Sequence, residues 1–250
     1  MRPVTAVTAR LSVGGDGRLR HRIGRDEISN DLAGWIARDL VAPGLIAPAA
    51  FERTFVSVVR SVDPDWTAFY ANTLAALAAG GTPGGTNHGM APVHERAAEL
   101  TVGPDVVELG CCFGFLALRL AAGGHRVTAV DLSAGAARLL AAVAPALGRP
   151  LAALAGDATA VPLGDATADT VLAVHLLEHL PAGLAPVVLG EMLRVARRRA
   201  VVAVPFEDEP NPTWGHVRTF DLAALADLGA ATGRPYRVAE HHGGWLVVQA

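Results

Sequence analysis

The sequence contains no lysine: all 21 of its Lys and Arg residues are arginine. Beside an abundance of Ala, Gly and Pro, this reads as a coding bias and carries no functional meaning. A basic excess is missing too. A formal net charge of −3 and a sequence pI near 6.3 argue against a nucleic-acid partner, which leaves a basic face on its protein. No uncharged apolar run reaches the roughly 18 residues of a membrane-crossing helix, so no membrane span is expected. The first residues show no apolar core followed by a cleavage site, so a secretory leader is not expected. There are only two cysteines, Cys111 and Cys112, and they are adjacent. Neighbouring thiols are poorly placed to staple a fold or to hold a metal by themselves. A reducing, cytoplasmic setting is the expectation. What is present is 250 residues, 51% of them hydrophobic, enough for one domain or one domain with an appended helical segment.

Two β-like runs around a Gly-rich turn, within Val4–Ile23, suggest a hairpin. From Glu27 the pattern turns helical, with Ile28, Leu32, Trp35, Ile36 and Leu40 at spacings of three or four. Further helical segments are read at Phe51–Val62 and Trp66–Ala79, and their apolar residues are read as helix packing. Gly80–Met90 is glycine-rich and reads as a mobile connector. Residues 1–90 are therefore expected to be a hairpin and helical cap, and residues 91–250 the main domain.

After Leu100, short apolar runs alternate with Ala/Leu-rich segments. Strands are predicted at Val106–Leu109, Arg126–Val130, Leu151–Leu154, Thr170–Val174, Ala200–Val204, Tyr236–Glu240 and Trp245–Val248. Helices are predicted near Phe115–Ala122, Ala134–Leu147, Leu184–Ala196 and Leu222–Thr232. Continuous apolar strands alternating with helices imply an α/β fold with a mostly parallel sheet covered on both faces.

The chemistry-bearing segment is Val106–Phe115, V-V-E-L-G-C-C-F-G-F. A buried strand ends in Glu108-Leu109-Gly110, and Gly114 opens a helix. Glycines let a backbone approach a ligand where a Cβ would collide, although an ordinary strand–helix turn has the same look. The context decides. The next strand ends in Asp131, 21 residues after Gly110, placed to accept both hydroxyls of a ribose.

This pair of elements resembles the class I S-adenosylmethionine methyltransferases, over roughly Val93 to the C-terminus. Their first motif stands here as Glu108-x-Gly110-x-Cys112-x-Gly114, with Cys112 in place of the central glycine. The resemblance implies a Rossmann-like seven-stranded sheet and S-adenosylmethionine as cofactor. It implies that Glu108 organises the turn and the methionine end, and that Asp131, followed by Leu132, binds the ribose side. Gly156–Leu163 resembles the loop in which an Asp meets the adenine amino group, here Asp157, with the backbone N–H of Ala158 beside it. Ala168–Leu180 resembles the fourth strand and its turn, which border cofactor and acceptor, so His175 is placed at the cofactor. A nicotinamide-dinucleotide site is the near rival, but the third glycine of that fingerprint is absent.

His175-Leu-Leu-Glu178-His179 also fits an inverted zinc-protease motif. That motif needs both His on one helical face, whereas His175 ends a predicted strand, so no metal is expected. Cys111 and Cys112 read as small residues in a crowded turn. Past the fifth strand come Glu207, Asp208, Glu209, Asn211, Trp214, His216 and Arg218, where open α/β sheets bind ligands. Asp208 and Glu209 read as a solvated loop, and G-H-V-R-T-F resembles a family segment facing the acceptor.

A phenol or carboxylate needs little base assistance, but a sugar hydroxyl does. His179 is the expected general base, with Glu178 and His216 as rivals. No Asn-Pro-Pro-Tyr type sequence follows the fourth strand, which counts against amide or adenine N-methylation. The wording of E-L-G-C-C-F-G-F and H-L-L-E-H-L is also similar to the oligosaccharide methyltransferases of mycofactocin maturation, which implies 2-O-methylation of a glucose unit. A small-molecule or glycan substrate is thus expected. Other acceptors (a quinone, polyketide or carboxylate) and a non-catalytic cofactor-binding regulator remain the alternatives.

Overall fold

The computed structural model describes residues 10–14 and 18–250. It divides into two compact units, residues 1–91 and 92–250.

In the first unit, β1 (Leu11–Val13) pairs antiparallel with β2 (Leu19–His21), Leu11 opposite His21. The Val4–Ala9 and Gly15–Gly17 parts of the expected hairpin lie outside the described residues. The helical pattern from Glu27 becomes α1 (Asp31–Ile36), which continues into a π-helical turn at Ala37–Val41. α2 (Phe51–Val62) buries Phe55, Val58 and Val59, three positions on one helical stripe. α3 (Thr67–Ala78) starts after Asp63, whose buried carboxylate accepts the Phe69 N–H at 2.9 Å and meets Arg25 at 3.0 Å. Phe69 packs edge-to-face on both Phe55 and Trp66.

The glycine-rich connector is shorter than its composition suggested. Thr86–Met90 already belongs to α4 (Thr86–Leu100), a helix with Pro92 inside it, and the division between the units falls within that helix. Asp31 Oδ1 accepts the N–H of Asn87 at 2.8 Å, securing the first turn. Gly81 makes the approach: at φ 68° it has no room for a side chain, because a Cβ would stand 2.2 Å from the His88 nitrogen.

The second unit is built on a seven-stranded sheet in the order β5-β4-β3-β6-β7-β9-β8. Its strands are β3 (Asp105–Leu109), β4 (Arg126–Asp131), β5 (Ala152–Ala155), β6 (Ala168–Val174), β7 (Ala196–Val204), β8 (Tyr236–Glu240) and β9 (Gly244–Gln249). β5, β4, β3, β6 and β7 are parallel, while β9 runs antiparallel to both β7 and β8. The helices are α5 (Phe115–Ala122), α6 (Ala134–Ala146), α7 (Ala185–Val195) and α8 (Leu222–Ala230). All seven predicted strands and all four predicted helices of this unit are present, with ends shifted by a few residues.

Burial explains the apolar runs. Every residue of β6 is buried, as expected of a central parallel strand covered on both faces, whereas edge strand β5 is partly exposed throughout. Ser133 and Asp221 cap α6 and α8 by accepting the N–H groups of Ala136 and Ala224. From β3 the chain winds outward through β4 to β5, then returns to place β6 on the other side of β3. Right-handed crossovers in opposite directions put their helices on opposite faces and leave a crevice between the ends of β3 and β6.

Candidate functional site

The turn leaving β3 is a tightly held bend at that crevice. Gly110, Cys112 and Gly114 all lie at positive φ, 70°, 51° and 73°. The N–H groups of Gly110 and Cys111 both reach the Val130 carbonyl, at 2.8 and 3.2 Å. Glycine is required at two of these alternate positions: a Cβ on Gly110 would stand 2.7 Å from Leu176, and one on Gly114 2.3 Å from Leu140. Cys112 is the exception, an L-residue in left-handed backbone, and its N–H donates to Asp131 Oδ2 at 2.7 Å.

Asp131, at the tip of β4, is fixed from two sides, since its Oδ1 also accepts the Ser133 N–H at 2.8 Å. Each oxygen keeps acceptor capacity for hydroxyls of a ligand. Beside it Leu132 is 78% exposed, an apolar side chain with no packing role of its own.

Glu108 is buried under the bend. Its carboxyl receives the Ala117 N–H, but Oε2 meets no hydrogen-bond donor among the described residues. Burial pushes the group up to about 8, and the nearby charge of Asp131 adds to this. An orphaned buried oxygen of that kind fits a cationic ligand group, such as the ammonium of a methionine moiety. Beyond β5, Asp157 Oδ1 accepts both the N–H and the hydroxyl of Thr159, at 2.8 and 2.7 Å, which holds its carboxylate below the usual range. Its second oxygen takes part in neither bond, and Ala158 is next in the chain.

Across the crevice, β6 ends at Val174 and His175 takes a φ of 53°, its N–H donating to the Ala203 carbonyl at 2.9 Å. Burial holds the His175 imidazole down to about 4, with His216 and His179 contributing, so it is neutral at physiological pH. A 3₁₀ turn, Leu177–His179, follows. It buries Glu178 completely, and neither carboxyl oxygen has a hydrogen-bond partner among the described residues. Burial raises that carboxyl to about 8.

The loop after β7 closes the site. Asn211 anchors it, its carbonyl accepting the His216 N–H at 3.0 Å, and Val217 donates to the Glu178 carbonyl at 2.9 Å. The rings of His179 and His216 therefore meet edge-to-face, with centroids 4.8 Å apart. His216 Nδ1 lies 2.6 Å from Glu207 Oε2, and His179 Nδ1 lies 3.3 Å from the Gly215 carbonyl. Arg218 is turned away, bonded to the Ala182 carbonyl and stacked over Phe220.

All the residues singled out from the sequence, from Glu108 to His216, thus come to the carboxyl ends of the strands in the second unit. As expected from the strand end at His175, the ring that meets His179 is that of His216. Two residues were missed. In the sequence Glu207 is only one acid of a cluster. His94, in α4, is buried with its pKa lowered to about 3 by burial, Arg119 and His175, and its only visible signal was a histidine on an otherwise ordinary helix.

Residues 107–204 match the family model of a methyltransferase domain. That segment runs from β3 through β7 of the sheet. No curated protein matches the sequence. Among solved structures, an S-adenosylmethionine-dependent methyltransferase from Aquifex aeolicus is similar at 19% identity. That match has a TM-score of 0.51 and covers 63% of this chain and 88% of the other. Magnesium protoporphyrin IX methyltransferase from Synechocystis, with bound S-adenosylmethionine, matches at 17% identity and a TM-score of 0.53, over 77% of this chain and 94% of that one. A structure concerned with converting a disulfide bond into a thioacetal group in echinomycin biosynthesis matches at 22% identity and a TM-score of 0.53, covering 64% and 80%. At such identities the likeness is one of fold.

Proposed function

We propose that this enzyme methylates a sugar hydroxyl, with the 2-hydroxyl of a glucose in the mycofactocin oligosaccharide as the acceptor that the motif wording favours. The observation that carries the reading is the cluster of Glu178, His179 and His216 beside the cofactor turn. A carboxylate or phenol acceptor would have no use for so many proton-handling groups, whereas an alcohol has.

When bound, S-adenosylmethionine supplies a sulfonium methyl whose C–S pair stays on sulfur as the new C–O bond forms. The residues divide the rest of the work. Glu108 meets the methionine end, and Gly110, Cys112 and Gly114 let the backbone come close to it. Asp131 accepts the ribose hydroxyls and Leu132 covers the adenine. The free oxygen of Asp157 accepts the adenine amino group, and the Ala158 N–H serves a ring nitrogen. His175 lines the crevice as a neutral ring.

His179 is the proposed acceptor of the hydroxyl proton. The Gly215 carbonyl can only accept a hydrogen bond, so Nδ1 of His179 carries the proton and Nε2 keeps its lone pair. Placing the oxygen in line with the methyl supplies several kcal/mol of the barrier.

The test is an acceptor panel with purified enzyme. Turnover of glucose-containing oligosaccharides supports the reading. Turnover confined to quinones, polyketides or carboxylates moves it to the small-molecule alternative. Tight cofactor binding without turnover on any acceptor makes the domain a regulator.

A further inference from the structure

The same cluster has the composition and the surroundings of a metal site. One ligand atom from each of Glu178, His179 and His216 lies within 4.8 Å of the other two. We propose that these three side chains bind a divalent transition-metal cation through two imidazole nitrogens and one carboxylate, leaving open positions for the acceptor. Three independent observations converge on this set.

The first is the state of Glu178. Glu178 is fully buried with neither oxygen hydrogen-bonded, His175 Nδ1 standing 3.9 Å from Oε1, and native interiors rarely leave a carboxyl so. A cation between it and the two imidazoles would give those oxygens a partner.

The second is the orientation of the rings. His216 Nδ1 is held by Glu207 Oε2 at 2.6 Å, and His179 Nδ1 by the Gly215 carbonyl at 3.3 Å. Carboxylates and backbone carbonyls in this position are the usual outer partners of metal-ligating histidines. Such partners place the proton on Nδ1 and leave the Nε2 lone pair for a metal.

The third is the way the backbone locks two distant segments together. The Val217 N–H donates to the Glu178 carbonyl at 2.9 Å, so residues 39 positions apart are held in register. The separation of 4.8 Å is wider than the roughly 3.3 Å between ligand atoms of a tetrahedral zinc site. Binding a cation would draw the three groups together, and His179 is the less buried of the two rings.

Two histidines and one carboxylate suit zinc, iron(II) or manganese better than magnesium or calcium, which take oxygen ligands. Three protein ligands with open positions is also the arrangement of catalytic rather than structural zinc. What a cation supplies there is acidification of a coordinated hydroxyl, whose proton leaves to solvent. His179 then serves as a ligand instead of a proton acceptor. The purpose of the site rests on the O-methylation reading, but its existence does not.

The experiment is metal binding without acceptor, on tag-free enzyme stripped with chelator. Zn²⁺ and Mn²⁺ are titrated by equilibrium dialysis, and Co²⁺ is followed by its visible d–d bands. The proposal predicts one equivalent per chain. His216→Ala and Glu178→Gln should each weaken binding by about 100-fold or more, and Glu207→Ala, which removes only an outer partner, by about 10–100-fold. Circular dichroism identifies any variant that fails to fold, and the Co²⁺ spectrum of wild type against Glu207→Ala then decides. Sub-stoichiometric binding, or equal binding by wild type and folded variants, overturns the proposal. One tightly bound equivalent in an enzyme that methylates no hydroxyl would keep the site and sink the O-methylation reading instead.

Discussion

Glu108→Gln should reverse its effect on stability as pH rises. In the folded apo protein the carboxyl is buried and titrates near 8, against 4.5 for an ordinary glutamate. Below the unfolded value both states are protonated, and the group does not penalise folding. Between the two values the unfolded chain loses its proton while the folded chain keeps it, so stability falls as pH rises and levels off above the folded value. At about 1.4 kcal/mol per unit, the shift corresponds to roughly 3–5 kcal/mol lost between pH 4.5 and 8. Gln does not ionise, so the variant lacks this slope. It keeps an oxygen for the Ala117 N–H but turns an amide into the place where Oε2 has no partner, at a pH-independent cost of about 1–3 kcal/mol. The wild type should therefore be the more stable protein near pH 5, and Glu108→Gln the more stable near pH 8.5. Glu178 and the buried histidines titrate alike in both, so the difference curve isolates Glu108. Urea unfolding across that range measures it. Parallel curves would refute the reasoning, and would mean that Glu108 is ionised and compensated in the apo fold.

Asp131→Ala should weaken S-adenosylmethionine binding by about 2–4 kcal/mol, the worth of one to two charge-assisted hydrogen bonds at a partly exposed site, with Asp131→Asn milder. Unchanged affinity by calorimetry in a folded variant would remove Asp131 from the site. Cys112→Gly should raise stability to urea by about 0.5–1 kcal/mol, because only glycine holds a φ of 51° without strain. A less stable glycine variant would show that the Cys112 side chain contributes packing worth more than that strain. His179→Ala should lower kcat by about 10²–10⁴-fold with little change in cofactor affinity. Near-normal kcat would pass its role to Glu178 or His216.

The second unit was legible because its signals are local. Continuous apolar runs such as Val171–Val174 announce buried parallel strands, and the glycine spacing around Cys112 announces a close-approach turn. α4 was hidden by the same reasoning that reads turns from composition: Gly81, Gly84, Gly85 and Gly89 precede or enter the helix, and Pro92 lies within it. What holds its first turn is the Asp31 carboxylate, 56 residues upstream of Asn87. The site shows the same limit. The spacing of His175 and His179 fits a helical motif, but His175 ends a strand, as expected from the sequence: it leaves β6 in a left-handed conformation and His179 lies on the 3₁₀ turn that follows. His216 and Glu207 arrive by a loop whose path depends on the Asn211 turn and the Val217–Glu178 hydrogen bond. No periodicity encodes such a meeting. The spacing of Asp131 is set by one βαβ unit and is legible in the sequence, whereas the contact of His179 with His216 is set by tertiary closure and is not.

The central claim is methyl transfer to a hydroxyl oxygen. It is tested most directly by the NMR spectrum of the product made from a glucose-containing oligosaccharide and S-adenosylmethionine carrying a ¹³C-labelled methyl group. The account predicts a single labelled methyl ether, correlated across oxygen to a ring C–H of one sugar unit. A labelled methyl found on nitrogen, carbon or a carboxylate ester, or label that never leaves the cofactor while the cofactor binds tightly, would contradict it.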